Sequence, residues 1–482
     1  MSRSEHDPAA RDAARDPARD PAARDPAARD PAARGPARDA ARDAGQGAHS
    51  ELLARHGRVM PKWLSLYYDQ PVELVSGEGC RVTDGEGRTY LDFFGGILTT
   101  MTGHAVPEVI DAIRTQAGRM VHSSTLYLIR PMVELAERIA GLSAIPDAKV
   151  FFVNSGTEAN DLALQLSCTA RRSNQVLALR NSYHGRSFAS MAITGIRSWS
   201  ASSLAPVQVH FVHGGYRYRS PFGDLPDEEF ARTAADDLRD ILETATSGDV
   251  ACLIAEPIQG VGGFIVPPDG FFAPMKDVAD EYGVLWVSDE VQTGWGRTGD
   301  HFWGYQAHGI TPDLLTFAKG IGNGLPIGGV VGRGDLIDSV PANSISTFGG
   351  NPLATAGALA NLEYLLSHDL QANTLARGRQ LMDRLGPLVG KYPIVGEVRG
   401  KGLMIALELI EPGSARPRNG TPSPARAAAV LEEARTRGLL IGKGGMKGNV
   451  LRLAPPLSLT ADEADEGAAL LVDSIAAVDA AG

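Results

Sequence analysis

Seven short apolar runs punctuate the middle of the chain, at residues 149–153, 176–179, 207–212, 251–255, 284–287, 314–317 and 327–331. Runs of this length suit strands buried on both faces, and several are separated by helix-length stretches such as residues 227–246. Alternating strands and helices predict an α/β fold: a large domain with a mostly parallel seven-stranded sheet covered by helices. Ligands then gather at the C-terminal strand ends. Upstream, residues 71–94 alternate apolar and polar around Asp84-Gly85-Glu86-Gly87, a hairpin pattern with Val82, Tyr90 and Leu91 on its flanks. A helix is expected from near Pro107.

After Pro352 the pattern changes. Helical stretches at 354–388, 424–437 and 461–477 frame short strands at 395–398, 403–409 and 450–453. Together with residues 63–94 they predict a smaller α+β domain. The expected boundaries are a tail at 1–48, the N-terminal part of the small domain at 49–100, the large domain at 101–352 and the C-terminal part of the small domain at 353–482. Residues 412–424, rich in Pro, Gly and Ser, read as a surface loop.

The tail is built on the pentad Arg-Asp-Pro-Ala-Ala, at 24–28 and again at 29–33. Repeated proline interrupts a helix, and no large apolar residue follows Met1, so the segment is expected to be disordered. Nine Arg are matched by eight Asp before Gly45, which argues against a transit peptide, since those are poor in acid.

Composition narrows the partners. A chain of 482 residues with 43% hydrophobic and 21% charged residues can bury a large core in two domains. No apolar run reaches the roughly 18 residues that span a bilayer, so no membrane partner is expected. A formal charge of −11, without basic clusters interleaved with aromatics, excludes a nucleic-acid surface. Cys80, Cys168 and Cys252 are too far apart for a disulfide framework or a metal quartet, so no metal is expected. A reducing, cytoplasmic setting suits them.

Two strand ends carry candidate chemistry. The run at 314–317 delivers Lys319 into a loop with Gly320, Gly322 and Gly324, and the run at 284–287 ends in Ser288-Asp289-Glu290-Val291-Gln292. Alone, Lys319 would read as a surface residue. With an acid at the same sheet edge it matches pyridoxal phosphate chemistry. An amine forms a Schiff base with the cofactor aldehyde, and a carboxylate beside the pyridine nitrogen keeps that nitrogen protonated.

The run at 149–153 passes straight into Asn154-Ser155-Gly156-Thr157-Glu158, followed by Ala159, Leu162, Ala163, Leu166 and Ala170 at helical spacing. Such a turn either caps a helix or offers its N–H groups and dipole to an anion, and the cofactor phosphate selects the second reading. Tyr183-His184-Gly185 follows the second strand, where Tyr183 either packs or lies on a cofactor ring. His104 reads as a structural histidine.

The chain resembles the class III, fold type I pyridoxal phosphate aminotransferases, most closely the mitochondrial-type alanine:glyoxylate branch. The stretches that carry the resemblance are FGGILTTMTGH, FFVNSGTEANDLAL, YHGR, AEPIQGVGGF, SDEVQTGWGRTG, HFWGYQAHGITPDLLTFAKGIGNGLPIGG, STFGGNPLA, EVRGKGLMIALEL and LRLAPPL. It implies that Lys319 bonds the cofactor aldehyde and later moves the substrate proton, and that Asp289 contacts the pyridine nitrogen. Gln292 would reach the phenolic oxygen, Tyr183 would stack on the ring, and Gly156 with Thr157 would hold the phosphate. Ser155, His184 and Glu256 complete the implied cofactor-binding set. Thr347 would reach the phosphate of a neighbouring subunit, which implies a homodimer or a higher even oligomer. Arg452 is placed at the substrate carboxylate, which its fork suits; the competing reading is a structural ion pair.

The implied reaction is ping-pong transfer of an amino group from a small amino acid, alanine or a β-amino acid, to pyruvate or glyoxylate. Where relatives read GHCHP this chain has Ala105 and Val106 after His104. Val261 and Ile97 stand where ornithine-type enzymes carry a glutamate and a tyrosine, so a second substrate charge would find no partner. The same residues would serve a class III racemase, decarboxylase or phospho-lyase. A third reading, a non-catalytic scaffold, is opposed by the intact Lys319 and Asp289.

Overall fold

The computed structural model describes residues 49–414 and 418–481. The expected disorder of residues 1–48 lies outside them, as do residues 415–417 of the expected loop. Two compact units divide between His56 and Gly57. Residues 49–56 of the first are helical, and all that follows concerns the second.

The N-terminal alternation folds as β1 (Leu74–Glu78), β2 (Arg81–Asp84) and β3 (Thr89–Asp92), one strand more than the expected hairpin. The extra reversal sits at Gly79, whose φ of +55° suits glycine, before the chain turns again at residues 85–88. Helices α1 (Pro107–Arg119) and α2 (Arg130–Leu142) each start with proline in the first turn, where no N–H is missed.

All seven expected strands then form as β4 (Ala148–Val153), β5 (Gln175–Leu179), β6 (Gln208–Val212), β7 (Cys252–Ala255), β8 (Leu285–Asp289), β9 (Leu314–Phe317) and β10 (Gly328–Arg333). Between them come α3 (Gly156–Arg171) after β4, α4 (Asp227–Thr244) after β6 and α5 (Ala273–Glu281) after β7. They make one sheet in the order β4-β10-β9-β8-β7-β5-β6. Only β10 runs against the rest, antiparallel to both β4 and β9. β5, β7 and β9 are buried along their whole length, as strands covered on both faces must be. Each fully buried leucine there contributes roughly 1.5–3 kcal/mol by transfer from water.

The single helical stretch expected at 354–388 is two helices, α6 (Pro352–Ser367) and α7 (Leu370–Leu385), broken at Asp369 with φ +47°. α6 packs on α1 and α2, whereas α7 packs on β11 (Val395–Lys401). Next come β12 (Met404–Leu409), α8 (Pro424–Thr436), β13 (Leu439–Leu440), β14 (Gly442–Gly444), β15 (Val450–Leu453) and α9 (Ala461–Ala480). β13 and β14 are too short to show in the sequence pattern. Two four-stranded sheets result, β1-β2-β3-β13 and β11-β12-β15-β14. The parallel pairing of β13 with β3 joins the two ends of the unit.

Candidate active site

The six co-directional strands point their C-terminal ends to one edge of the large sheet. β4 leads there into Ser155, β5 towards Tyr183 and His184, β7 into Glu256, β8 ends on Asp289, and β9 leads into Lys319. Register tightens the grouping. Ala255 pairs with Ser288 and Asp289 with Thr316, so Glu256, Asp289 and Lys319 follow neighbouring positions.

Asp289 is buried and fully engaged. Its Oδ2 accepts from Asn160 Nδ2 at 2.8 Å and lies 2.7 Å from His184 Nδ1, while Oδ1 accepts from Val291 N at 3.1 Å. Asn160 also donates to His184 O at 2.8 Å and accepts from Thr316 Oγ1 at 2.7 Å, which fixes the orientation of its amide. On His184 the other nitrogen, Nε2, is buried without a partner among the described residues. Nδ1 is the nitrogen that donates here, since a carboxylate only accepts.

Glu256 lies beside this group, accepting from Tyr183 N and Gly260 N, each at 2.8 Å. Burial pushes its carboxyl up to about 7, opposed by His184 and the two N–H groups and reinforced by Asp289. The Gln292 side chain fills the space where a Cβ on Gly260 would sit, and its Oε1 is buried unpaired. Lys319 has φ +48°, rare for a side chain this long, and begins a short 3₁₀ turn through Gly322. Among the described residues its ammonium has no hydrogen bond or ion pair. Burial lowers its pKa, Asp289 and Glu256 oppose, and Arg452 lowers it further.

Ser155 caps α3, accepting from Glu158 N at 3.2 Å. The N–H groups of Gly156 and Thr157, in the first turn, have no partner among the described residues. A Cβ on Gly156 would lie 3.0 Å from Val291 Cγ1, and one on Gly185 only 2.6 Å from Thr157 Oγ1. Glycine thus lets the chain close tightly around the turn. The Tyr183 ring sits edge-on to Trp199 at 5.2 Å. Thr347 is exposed, and its neighbour Ser346 accepts from Asn154 Nδ2 of the same chain at 3.3 Å.

Arg452, on β15, is 5% exposed and has no carboxylate within ion-pair distance among the described residues. Nη1 donates to Gly260 O at 3.3 Å and Nη2 to Lys443 O at 3.1 Å; Nε is buried unpaired. Phe94 and Phe264 lie 5.2 and 5.5 Å from its Cζ. The competing reading, a structural ion pair, does not hold for Arg452. His104 does take its expected structural role, with Nε2 2.9 Å from Asp92 Oδ2.

The free N–H groups, the unpaired His184 Nε2 and Gln292 Oε1, and the unengaged Lys319 fit an anionic, ring-bearing aldehyde cofactor. Sequence reasoning did not single out Asn160 or Thr316. A signal existed for Thr316, a hydroxyl inside the otherwise apolar run Leu314-Leu315-Thr316-Phe317. Asn160 stood within a motif but on the helix rather than in the turn.

Comparison with known proteins agrees. The family model of class-III aminotransferases matches residues 67–475. The mitochondrial alanine–glyoxylate aminotransferase 2 homolog 2 of Arabidopsis thaliana is 37% identical over 86% of this chain and 85% of its own. The acetylornithine aminotransferase of Mycolicibacterium smegmatis is 39% identical over 82% of this chain and 91% of its own. A leucine/methionine racemase from Thermococcus litoralis is 35% identical over 89% and 96%. Among solved structures, an (S)-enantioselective omega-transaminase from Thermomicrobium roseum superposes with a TM-score of 0.81 at 33% identity, over 88% of this chain and 98% of that one. With the strand-end geometry already in place, the chain belongs to the class III pyridoxal phosphate-dependent aminotransferases.

Proposed function

We propose that the enzyme moves an amino group from a small amino donor, alanine or a β-amino acid, to pyruvate or glyoxylate in two half-reactions. The observation that carries the donor assignment is Arg452, a buried guanidinium without an acid, whose charge is felt at Lys319. A buried cation held by carbonyls alone, with no counter-charge among the described residues, is costly, and a substrate carboxylate would pair with it. Pyridoxal phosphate, when bound, supplies the aldehyde that takes the amine and a ring that accepts electrons.

The chain's own residues do the rest. Lys319 Nζ would hold that aldehyde until the substrate amine displaces it; the freed amine would then take the proton from the substrate α-carbon and deliver it to the former aldehyde carbon. Its lowered pKa keeps more of it in the basic form than an exposed lysine would be. Asp289, oriented by Asn160 and His184, would place its carboxyl at the ring nitrogen. The N–H groups of Gly156 and Thr157, with Ser155 as cap, would hold the phosphate, Gln292 would reach the phenolic oxygen and Tyr183 would cover the ring. Glu256 fixes the Tyr183 and Gly260 backbone on either side. Thr347 serves the phosphate site of a second copy, so the working form is a homodimer or higher even oligomer, in a cytoplasmic setting.

Val261 and Ile97 offer no charge or hydrogen bond for a second ionic group, which favours small donors over ornithine or acetylornithine. A single-turnover donor screen that follows the cofactor absorbance tests this: alanine or a β-amino acid should react fastest. Ornithine or acetylornithine leading the screen would defeat the donor assignment. The similarity to the racemase favours a second reading, another reaction at the same residues. Stoichiometric release of a 2-oxo acid in one turnover separates the two, since racemisation releases none.

A further inference from the structure

Arg399 on β11 and Arg452 on β15 are both in register with Ala406 on β12 between them. The three side chains therefore stand on one face of the sheet. Ala406 is small, and Phe264 packs in one apolar cluster with it. Phe264 belongs to a tight hairpin closed by mutual backbone bonds between Gln259 and Ile265, both 3.1 Å. Within it Gly263 has φ +112° and Phe264 φ +47°. A bulky residue held in the left-handed region is strained and persists only where its surroundings over-determine it.

Arg399 supplies that constraint. Nε donates to Phe264 O at 3.1 Å and to Gly263 O at 3.2 Å, and Nη2 donates to Gly263 O at 2.7 Å. On its other edge Nη1 donates to Glu408 Oε2 at 2.9 Å and to Glu397. Glu408 is itself held by Arg219 Nε at 2.6 Å and by Tyr216. The guanidinium is thus anchored by two carboxylates and grips two successive carbonyls. The hairpin in turn sets Arg452: Gly260 O accepts from its Nη1, and the Phe264 ring lies against its guanidinium.

We propose that Arg399 is a positioning residue for the substrate carboxylate, holding Gly263 and Phe264 at positive φ so that the hairpin they close aims Arg452. This rests on the reading of Arg452 as the carboxylate fork.

The test compares L-alanine with L-alaninamide, whose carboxylate is replaced by a neutral amide, in single-turnover reactions of the holoenzyme. Lysine keeps the charge of Arg399 but cannot grip two carbonyls and two carboxylates at once. In Arg399→Lys the preference for L-alanine should fall by about tenfold to a hundredfold, as a misplaced binding group does. The rate with L-alaninamide should stay within about threefold. Calorimetric affinity for propionate should weaken in parallel. Combining Arg399→Lys with Arg452→Lys should reduce the preference no further than Arg452→Lys alone, because both act through one fork.

Equal slowing with both donors, or losses that multiply in the double variant, would overturn the proposal. An Arg452→Lys enzyme with unchanged preference would instead overturn the carboxylate reading beneath it. Should Arg399→Lys not fold, Gly263→Ala applies the same test from the hairpin side, since its Cβ would come within 3.1 Å of Arg399 Nη2.

Discussion

Three residues at the strand ends make separable claims. Lys319→Ala should retain cofactor non-covalently yet slow the half-reaction at least about a hundredfold, as loss of a general base does; a rate within tenfold of the parent would sink its assignment. Asp289→Asn removes a charge and puts an amide N–H either against both His184 Nδ1 and Asn160 Nδ2 or, turned over, against Val291 N, leaving a buried donor unpaired at about 1–3 kcal/mol. Slower single turnover with weaker cofactor retention is expected, and unchanged single-turnover rates would show that another group holds the ring. Glu256 makes a claim about pH. Its carboxyl releases its proton near 4.5 when unfolded and near about 7 when folded. Between those values the native state binds more protons, so stability falls as pH rises. Denaturant titrations of the cofactor-free protein at pH 5 and pH 8 should show it for the parent and not for Glu256→Gln. Parallel behaviour of the two would place the titration elsewhere.

At the scale of elements, the antiparallel β10 sits between β4 and β9 and is made narrow by glycine. A Cβ on Gly329 would meet Phe317 Cζ at 2.5 Å and Phe151 O at 2.7 Å. Gly329→Ala should therefore lower stability by about 1–3 kcal/mol through overpacking, read as a lower denaturation midpoint at unchanged slope. An unaltered midpoint would mean that β4 and β9 can part without cost. The same strand spaces β4 from β9, whose ends lead into Ser155 and Lys319, so cofactor affinity should fall with stability.

For the whole molecule, the edge of the large sheet is open. A cavity of 470 Å³ beside β4 is lined by Met132, Val133, Ala136, Phe151 and Phe152. Leu126, Tyr127, Ile345 and Phe348 are exposed nearby in sequence to its rim, and Leu128 is 98% exposed. Exposed apolar side chains are what a second copy would cover, and Thr347 lies in sequence between two of them. Sedimentation should give a homodimer or higher even oligomer, with cofactor raising the melting temperature in a concentration-dependent way. Leu128→Asp should weaken the association. A monomer fully active at nanomolar concentration would refute the shared site, whereas removing residues 1–48 should change neither activity nor assembly.

The pattern of short apolar runs marked all seven strands of the large sheet; β5, β7 and β9, covered on both faces, show the reason most clearly, since such a strand is apolar almost throughout. Lys319, Asp289 and the turn at Ser155 were legible for a related reason: chemistry at a strand end falls immediately after an apolar run. The hairpin at β2 and β3 was visible, but the earlier reversal at Gly79 and the two- and three-residue strands β13 and β14 were not, since periodicity needs length. The roles that depend on contacts across the chain were decided only by tertiary structure. Asn160 and Thr316 lie 156 residues apart and meet only because α3 packs over the sheet. Arg452 could have been an ion pair, but among the described residues the fold brings it no acid, and Arg399 looked like any arginine before its register with Ala406 brought it to the Phe264 hairpin. Sequence specifies which groups are present at each strand end; which of them share a cavity, and which are left unpaired there, depends on packing between segments far apart in the chain.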